Sequence, residues 1–227
     1  MKIKINPEPK EILTVEEHEL DICKRADEIN TITDSELKSE IVTALKKTIK
    51  KNNLTALSAP AIGYDKRIFC IKFKEEIKTF INPVIIQCKG LELSREKCSS
   101  IPNKEFIVPR NNDVTITYQR PLGQIETRQL VGIGAFIVQH EIQHLDGILI
   151  SDIGLEIDED WDKATEEERE EILNLYLDSL DIKQKDLDNE IENTPELKEM
   201  SDAIDFMTSI YKGETQLEQV KKTEENT

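Results

Sequence analysis

"QHEIQHLDG", residues 139–147, carries two of the three histidines in the chain. On an α-helix, positions i and i+4 are neighbours, so His140 and His144 face the same way and can bind one cation. Glu141 lies about 100° round the helix from His140, close enough to reach a water on that cation without being a ligand. The pattern H-E-x-x-H therefore offers two ligands and a general base within five residues. A third ligand has to come from elsewhere, and a fourth position has to stay open for water. A pair of solvated surface histidines is the plain alternative. Against it, the motif sits inside "AFIVQHEIQHL", where a buried face needs its polar groups satisfied. Gly132 and Gly134 precede this run, and Gly147 is placed to end the helix.

Working outward, "KRIFCIKF" (66–73), "TFINPVIIQC" (79–88) and "DVTITYQR" (113–120) are rich in β-branched and aromatic residues and are predicted strands. "RPLGQ" (120–124) is a predicted hairpin turn. Within 35–53, Leu37, Ile41, Leu45 and Ile49 recur every four residues, which predicts an amphipathic helix with Asp34 or Ser35 as its N-cap. The segment from 165 is also helical in pattern. Thr165 and Glu168 fit a capping box, and Ile172, Leu173, Tyr176, Leu177 and Leu180 share a face. Thr194-Pro195 predicts a further helix ending near Gly213, and residues 214–227 are expected to be disordered.

The net charge of −16 belongs to one part of the chain. Residues 1–154 carry 22 acidic and 22 basic side chains, whereas residues 155–227 carry 24 acidic against 8 basic. That asymmetry predicts a domain over 1–154, an acidic, mostly helical extension over 155–213, and a tail over 214–227. Such an extension repels nucleic acid, so no direct nucleic-acid binding is expected. No run approaches the roughly 18 apolar residues of a membrane helix, and "MKIKINPEPK" lacks the apolar stretch of a secretory signal. The four cysteines (Cys23, Cys70, Cys88, Cys98) show no C-x-x-C spacing, and reduced thiols in a cytoplasmic protein are expected. His18 is expected to be an ordinary surface residue.

The motif at 139–147 resembles the third signature of the peptide deformylases, Q-H-E-x-D-H-L-x-G. "EKCSSIPNKEFIVPR" (96–110) resembles the second, E-G-C-L-S followed by I-P and later V-P-R. "ALSAPAIG" (56–63) resembles the first, G-x-G-L-A-A-P-Q. Together with "INP" (81–83) the three stand in the family's order over roughly residues 1–154. The resemblance implies an α+β fold with antiparallel strands around a central metal-binding helix, here with an additional helical C-terminal extension. It implies Cys98 as the third ligand beside His140 and His144, holding one divalent ion per chain. Fe(2+) is expected as the native metal, with Zn(2+) or Ni(2+) as substitutes. The activity implied is removal of the formyl group from N-formylmethionine at the start of new polypeptides. Glu141 would be the general base and the Ser99 main-chain N–H an oxyanion donor, with Ala56, Leu57 and Ala61 as substrate contacts. N-formylmethionyl peptides or nascent chains are the expected partners of a monomer in a bacterial-type cytosol. The acidic extension argues against ribosome association.

This chain also departs from the family's pattern. Leu54 and Ala56 replace the two glycines of the first signature, and Ala61 replaces its glutamine. Lys97 replaces the glycine of the second signature, Glu105 stands where many members carry Arg, and Gln143 stands where Asp is usual. Losing one oxyanion donor typically costs about 10²–10³ in rate. An alternative reading is therefore a relative that binds metal and formyl-Met or Met peptides without efficient turnover. A general H-E-x-x-H metallopeptidase is a third, but such enzymes lack the upstream Cys ligand and the other two signatures.

Overall fold

A computed structural model describes the backbone of residues 7–193 and the side chains of residues 7–180. The expected helix from Thr194 and the tail from 214 lie outside the described residues. The chain divides into a compact unit, Met1–Asp162, and a second unit beginning at Lys163.

The first unit is built on a six-stranded antiparallel sheet in the order β1 (Ala56–Ser58), β2 (Ile68–Phe73), β3 (Glu76–Cys98), β4 (Ile101–Gln119), β5 (Ile125–Val131), with β6 (Leu155–Ile157) paired to β4 off that path. The unbroken apolar run of β2 is explained by what covers its two faces. Ile68 and Cys70 face helix α2 (Ser35–Asn52), where Ile41, Ala44, Leu45 and Ile49 are fully buried. Phe69 and Ile71 face helix α3 (Ile133–Leu145) and pack with Ala135, Val138, Ile142 and Leu145. A strand covered on both sides loses the alternation of a half-exposed one. Phe69 stacks on Phe80 with ring centroids 4.7 Å apart, worth about 0.5–1.5 kcal/mol beyond area burial.

The α2 helix follows its expected stripe, except that Leu37 in the first turn is 37% exposed. Asp34 is its N-cap residue, but the carboxylate accepts from the Asn30 N–H instead of from the helix. The predicted strands 79–88 and 113–120 prove to be parts of one long hairpin, since β3 runs to Cys98 and β4 starts at Ile101. The stretch "LELSREKC" alternates only at Leu91 and Leu93, both exposed, and its pairing with β4 makes it a strand. Asn82, at φ 47°, sits beside a register shift in β3, and its amide clasps both the N–H and the C=O of Ile29. The turn at 120–124 closes as expected, with Arg120 N donating to Gln124 O and Gly123 N to Arg120 O.

Helix α1 (Val15–Ile22) was not foreseen and is kinked at His18, whose ring is half-buried with Nδ1 enclosed and unpartnered. The kink makes it less of a surface residue than its isolation in sequence suggested. The four cysteines form no disulfide; Cys23 and Cys88 are exposed, Cys70 and Cys98 buried. A short helix α4 (Ile150–Ile153) leads into β6. The second unit contains helix α5 (Glu166–Asn193), opened by the expected capping box: Glu168 N donates to Thr165 Oγ1 and Thr165 N to the Glu168 carboxylate. Among the described residues, no helix is long and apolar enough to cross a membrane.

Gly147 does what its position predicts, ending α3 at φ 75°. A Cβ there would lie 2.4 Å from the Cys23 carbonyl oxygen, because the segment 23–26 crosses the helix end and Ala26 N donates to Leu145 O. Both the left-handed backbone and the close approach exclude a side chain. Gly147→Ala is expected to destabilise the protein by on the order of 2–3 kcal/mol, read as a lowered urea midpoint.

Candidate metal and peptide site

Helix α3 lies against the sheet with Gln139, Glu141 and His144 buried. Gln139 holds the helix to β4 as a strand would, its Oε1 accepting from Asn111 N (2.9 Å) and its Nε2 donating to Asn111 O (2.8 Å). With that face fixed, His140 and His144 stand one turn apart, their ring centroids separated by 4.9 Å. The last residue of β3 then meets them, with Cys98 Sγ 3.1 Å from His144 Nε2. The three donor atoms of Cys98, His140 and His144 lie within 4.8 Å of one another. Two residues 46 positions apart in sequence are thus brought together only by the β3–β4 hairpin turning back over α3.

The support behind these donors is a buried ionic chain. Glu96, two residues before Cys98 and on the same face of β3, accepts from Arg110 through both oxygens at 2.8 Å and meets His140 Nδ1 at 3.0 Å. Arg110 is 1% exposed and gives its remaining Nη1 to Gln143 Oε1 at 2.6 Å. The amide of Gln143 therefore accepts this hydrogen bond without adding a second buried negative charge. A carboxylate facing His140 Nδ1 accepts a hydrogen bond from that N–H and leaves Nε2 as the nitrogen available to a cation.

Electrostatics suit the donor set. Burial pushes the Cys98 thiol up, but His144 and His140 beside it outweigh that and bring it to about 5, so the sulfur is the thiolate that metal binding needs. Burial likewise opposes the charged form of His140, but the hydrogen bonds its ring donates to Cys98 and Glu96 hold it up near 10 in the metal-free protein. Burial raises Glu96 as well, and Arg110 and His140 more than offset it, leaving the carboxyl near 2. Glu141 is raised by burial, the neighbouring histidines acting the other way. Its Oε2 and His144 Nδ1 are buried with no hydrogen-bond partner. Enclosed orphan atoms of this kind cost about 1–3 kcal/mol each, and next to a thiolate and two imidazoles they fit a site built for a cation and its water. These residues can hold a metal.

His140, Glu141 and Cys98 open onto a cleft of about 1170 Å³. Leu54, Ala56, Ile133, Phe136 and Ile137 form an apolar part, while the other part is charged, lined from β3, β4 and the segment after β6. Ser99 lines this cleft in the turn between β3 and β4. Ala56 lines it too, but Leu57 and Ala61 do not. Strand alternation and the 3₁₀ turn at Pro60–Ile62 put their side chains into the core under α2, each 2% exposed. Glu96 and Arg110 carry this site's architecture, yet the sequence reading assigned them no role. The available signal was that Glu96 stands at i−2 from a cysteine in an extended segment, which places both on one face.

A family model described as polypeptide deformylase matches residues 9–157. A peptide deformylase of Dictyoglomus thermophilum is 35% identical over 117 residues, covering 52% of this chain and 76% of that protein. One from Desulfitobacterium hafniense is 36% identical over 105 residues, covering 46% and 70%. Among solved structures, the peptide deformylase of Thermotoga maritima superposes with a TM-score of 0.59 at 28% identity, covering 65% of this chain and 98% of that one. A Synechococcus elongatus peptide deformylase in complex with actinonin gives 0.59 at 25% identity, covering 68% and 84%. The order of the three motifs, the antiparallel sheet around α3 and these matches agree: the chain belongs to the polypeptide deformylase family.

Proposed function

We propose that Cys98, His140 and His144 hold one divalent ion, natively Fe(2+) and replaceable by Zn(2+) or Ni(2+), and that Glu141 is the catalytic base of a peptide deformylase. The reaction is removal of the formyl group from N-formylmethionine at the start of new polypeptides, giving formate and a free N-terminal Met. The convergence of one sulfur and two imidazoles beside a buried carboxylate carries this reading. When bound, the ion supplies an acidified water and a Lewis acid for the formyl carbonyl.

The chain's own residues do the rest. Glu141, enclosed and with a free oxygen, takes a proton from the attacking water as its oxygen bonds to the formyl carbon. It returns that proton to the amine nitrogen as the C–N bond breaks. The main-chain N–H of Ser99, in the turn beside Cys98, would donate to the developing oxyanion. Ala56 lies in β1, at one edge of the sheet, so its backbone can pair with an extended peptide as an added strand. The neighbouring apolar wall of Ile133, Phe136 and Ile137 takes the methionine side chain. Ala61, packed into the core, supplies no side-chain donor, so the Ser99 main chain would be the protein's oxyanion donor, beside the Lewis acid that a bound ion would supply. The protein acts as a cytoplasmic monomer on formylated chains, and the acidic residues from 155 onward keep it off the ribosome.

The assay is anaerobic formate release from formyl-Met-Ala-Ser by the Fe(2+)- or Ni(2+)-loaded protein. Formate is expected, and Glu141→Ala is expected to lower the rate by about 10²–10⁴ while one ion per chain remains bound. Stoichiometric metal without formate would instead favour the relative that binds but does not turn over, and cleavage of internal peptide bonds would indicate a peptidase. Cys98→Ala is expected to abolish metal binding at stoichiometric concentration, measured by elemental analysis after gel filtration. For the support chain, Arg110→Met leaves Glu96 buried and unpaired and is expected to cost about 3–5 kcal/mol of stability, measured by chemical denaturation.

A further inference from the structure

We propose that the acidic segment Glu156–Asp162 selects among substrates, favouring formylated peptides with Lys or Arg in the residues that follow methionine. The inference rests on the cleft described above being the peptide-binding cleft.

"EIDEDWD" (156–162) carries five carboxylates and no cation, and most of it lies beyond residue 157, where the family match ends. Glu156, Asp158, Glu159 and Asp162 all line the cleft. Their placement is anchored at both ends. Ile157 pairs with Glu105 across the β4–β6 ladder, and Arg95, which also lines the cleft, forks onto Asp162 at 2.7 and 3.0 Å. Arg95 also bonds Glu105 at 2.8 Å. The acidic segment is thereby held against the charged part of the cleft wall.

The charges there do not cancel. The cations are Arg95, Lys97 and Lys104, set against Glu105, Glu156, Asp158, Glu159 and Asp162, a surplus of two negative charges. Each cation already faces a carboxylate: Arg95 faces Glu105 and Asp162, Lys97 faces Glu105 at 3.9 Å, and Lys104 faces Glu156 at 2.9 Å. Among the described residues, Asp158 and Glu159 form no ion pair, and both are exposed. Glu96 does not enter this count because Arg110 neutralises it. With formyl-methionine at the metal-binding side chains and the apolar wall, the following residues run along this charged part. A cationic side chain there gains two carboxylates that have no cation of their own, whereas an anionic one meets like charge in a cleft that focuses the field. Exposed charges of this kind act on encounter and register, and salt screens them.

The test compares kcat/KM for formyl-Met-Ala-Lys-Lys and formyl-Met-Ala-Glu-Glu on the metal-loaded full chain, at low and at about 1 M salt. It uses the wild type, the double variant Asp158→Asn/Glu159→Gln, and a control, Glu16→Gln/Glu17→Gln, with the same charge change on α1 outside the cleft. The amide introduced by Asp158→Asn keeps the oxygen acceptor that Asp158 offers to Asp160 N, so the turn is preserved. A preference for the lysine peptide of about 10-fold or more at low salt is expected. It should fall towards unity at high salt and in the cleft variant, but persist in the control. Equal rates, a preference untouched by the cleft variant, or one lost equally in the control overturns the proposal. Should neither peptide release formate, the deformylase reading fails. Binding of Met-Ala-Lys-Lys against Met-Ala-Glu-Glu then decides the inference: tighter lysine-peptide binding that the cleft variant loses and the control keeps supports it, and equal binding overturns it.

Discussion

A guanidinium buried to 1% exposure underlies the chemistry of this domain. Arg110 leaves water only because Glu96 takes two of its donors and Gln143 a third. Glu96 in turn meets His140, so a charge that would otherwise be costly to bury aims the His140 ring. Strand β3, strand β4 and helix α3 each contribute one link. None of the three can shift without breaking the chain, which makes the position of the site a consequence of sheet register.

That register also explains how a sequence departing from its family's pattern at several positions keeps the family's geometry. Gln143 accepts from Arg110 as a carboxylate would, and Ser99 is asked only for its main chain. Ala61 is absorbed into the apolar cluster beneath α2. Changes absorbed in these ways leave the thiolate and the two imidazoles together. The larger novelty is in the charged part of the cleft, where Glu105 and the segment after β6 make the wall negative.

Much of this was legible beforehand wherever one local period or one turn residue dominates. The α2 stripe, the i, i+4 histidines, Gly147 and the Thr165–Glu168 capping box all follow from contacts within a few residues. The β3–β4 hairpin between 89 and 112 was not legible, because its residues are largely polar, with alternation only at Leu91 and Leu93, and owe their extended form to a partner strand. His18 was misjudged for a related reason, since the α1 kink that half-buries it leaves no mark in composition.

The sequence by itself determined the helix that bears His140, Glu141 and His144 and the imbalance of charge after residue 154, because each is a matter of spacing or counting, while Cys98 was implied by the family resemblance of the motif around it. The tertiary structure alone decided that Glu96 and Arg110 are inside and paired, that Leu57 and Ala61 face the core while Ala56 faces the cleft, and that Asp158 and Glu159 border the cleft. Those outcomes depend on which strand lies beside which, and strand pairing is a long-range choice that no short window of residues contains.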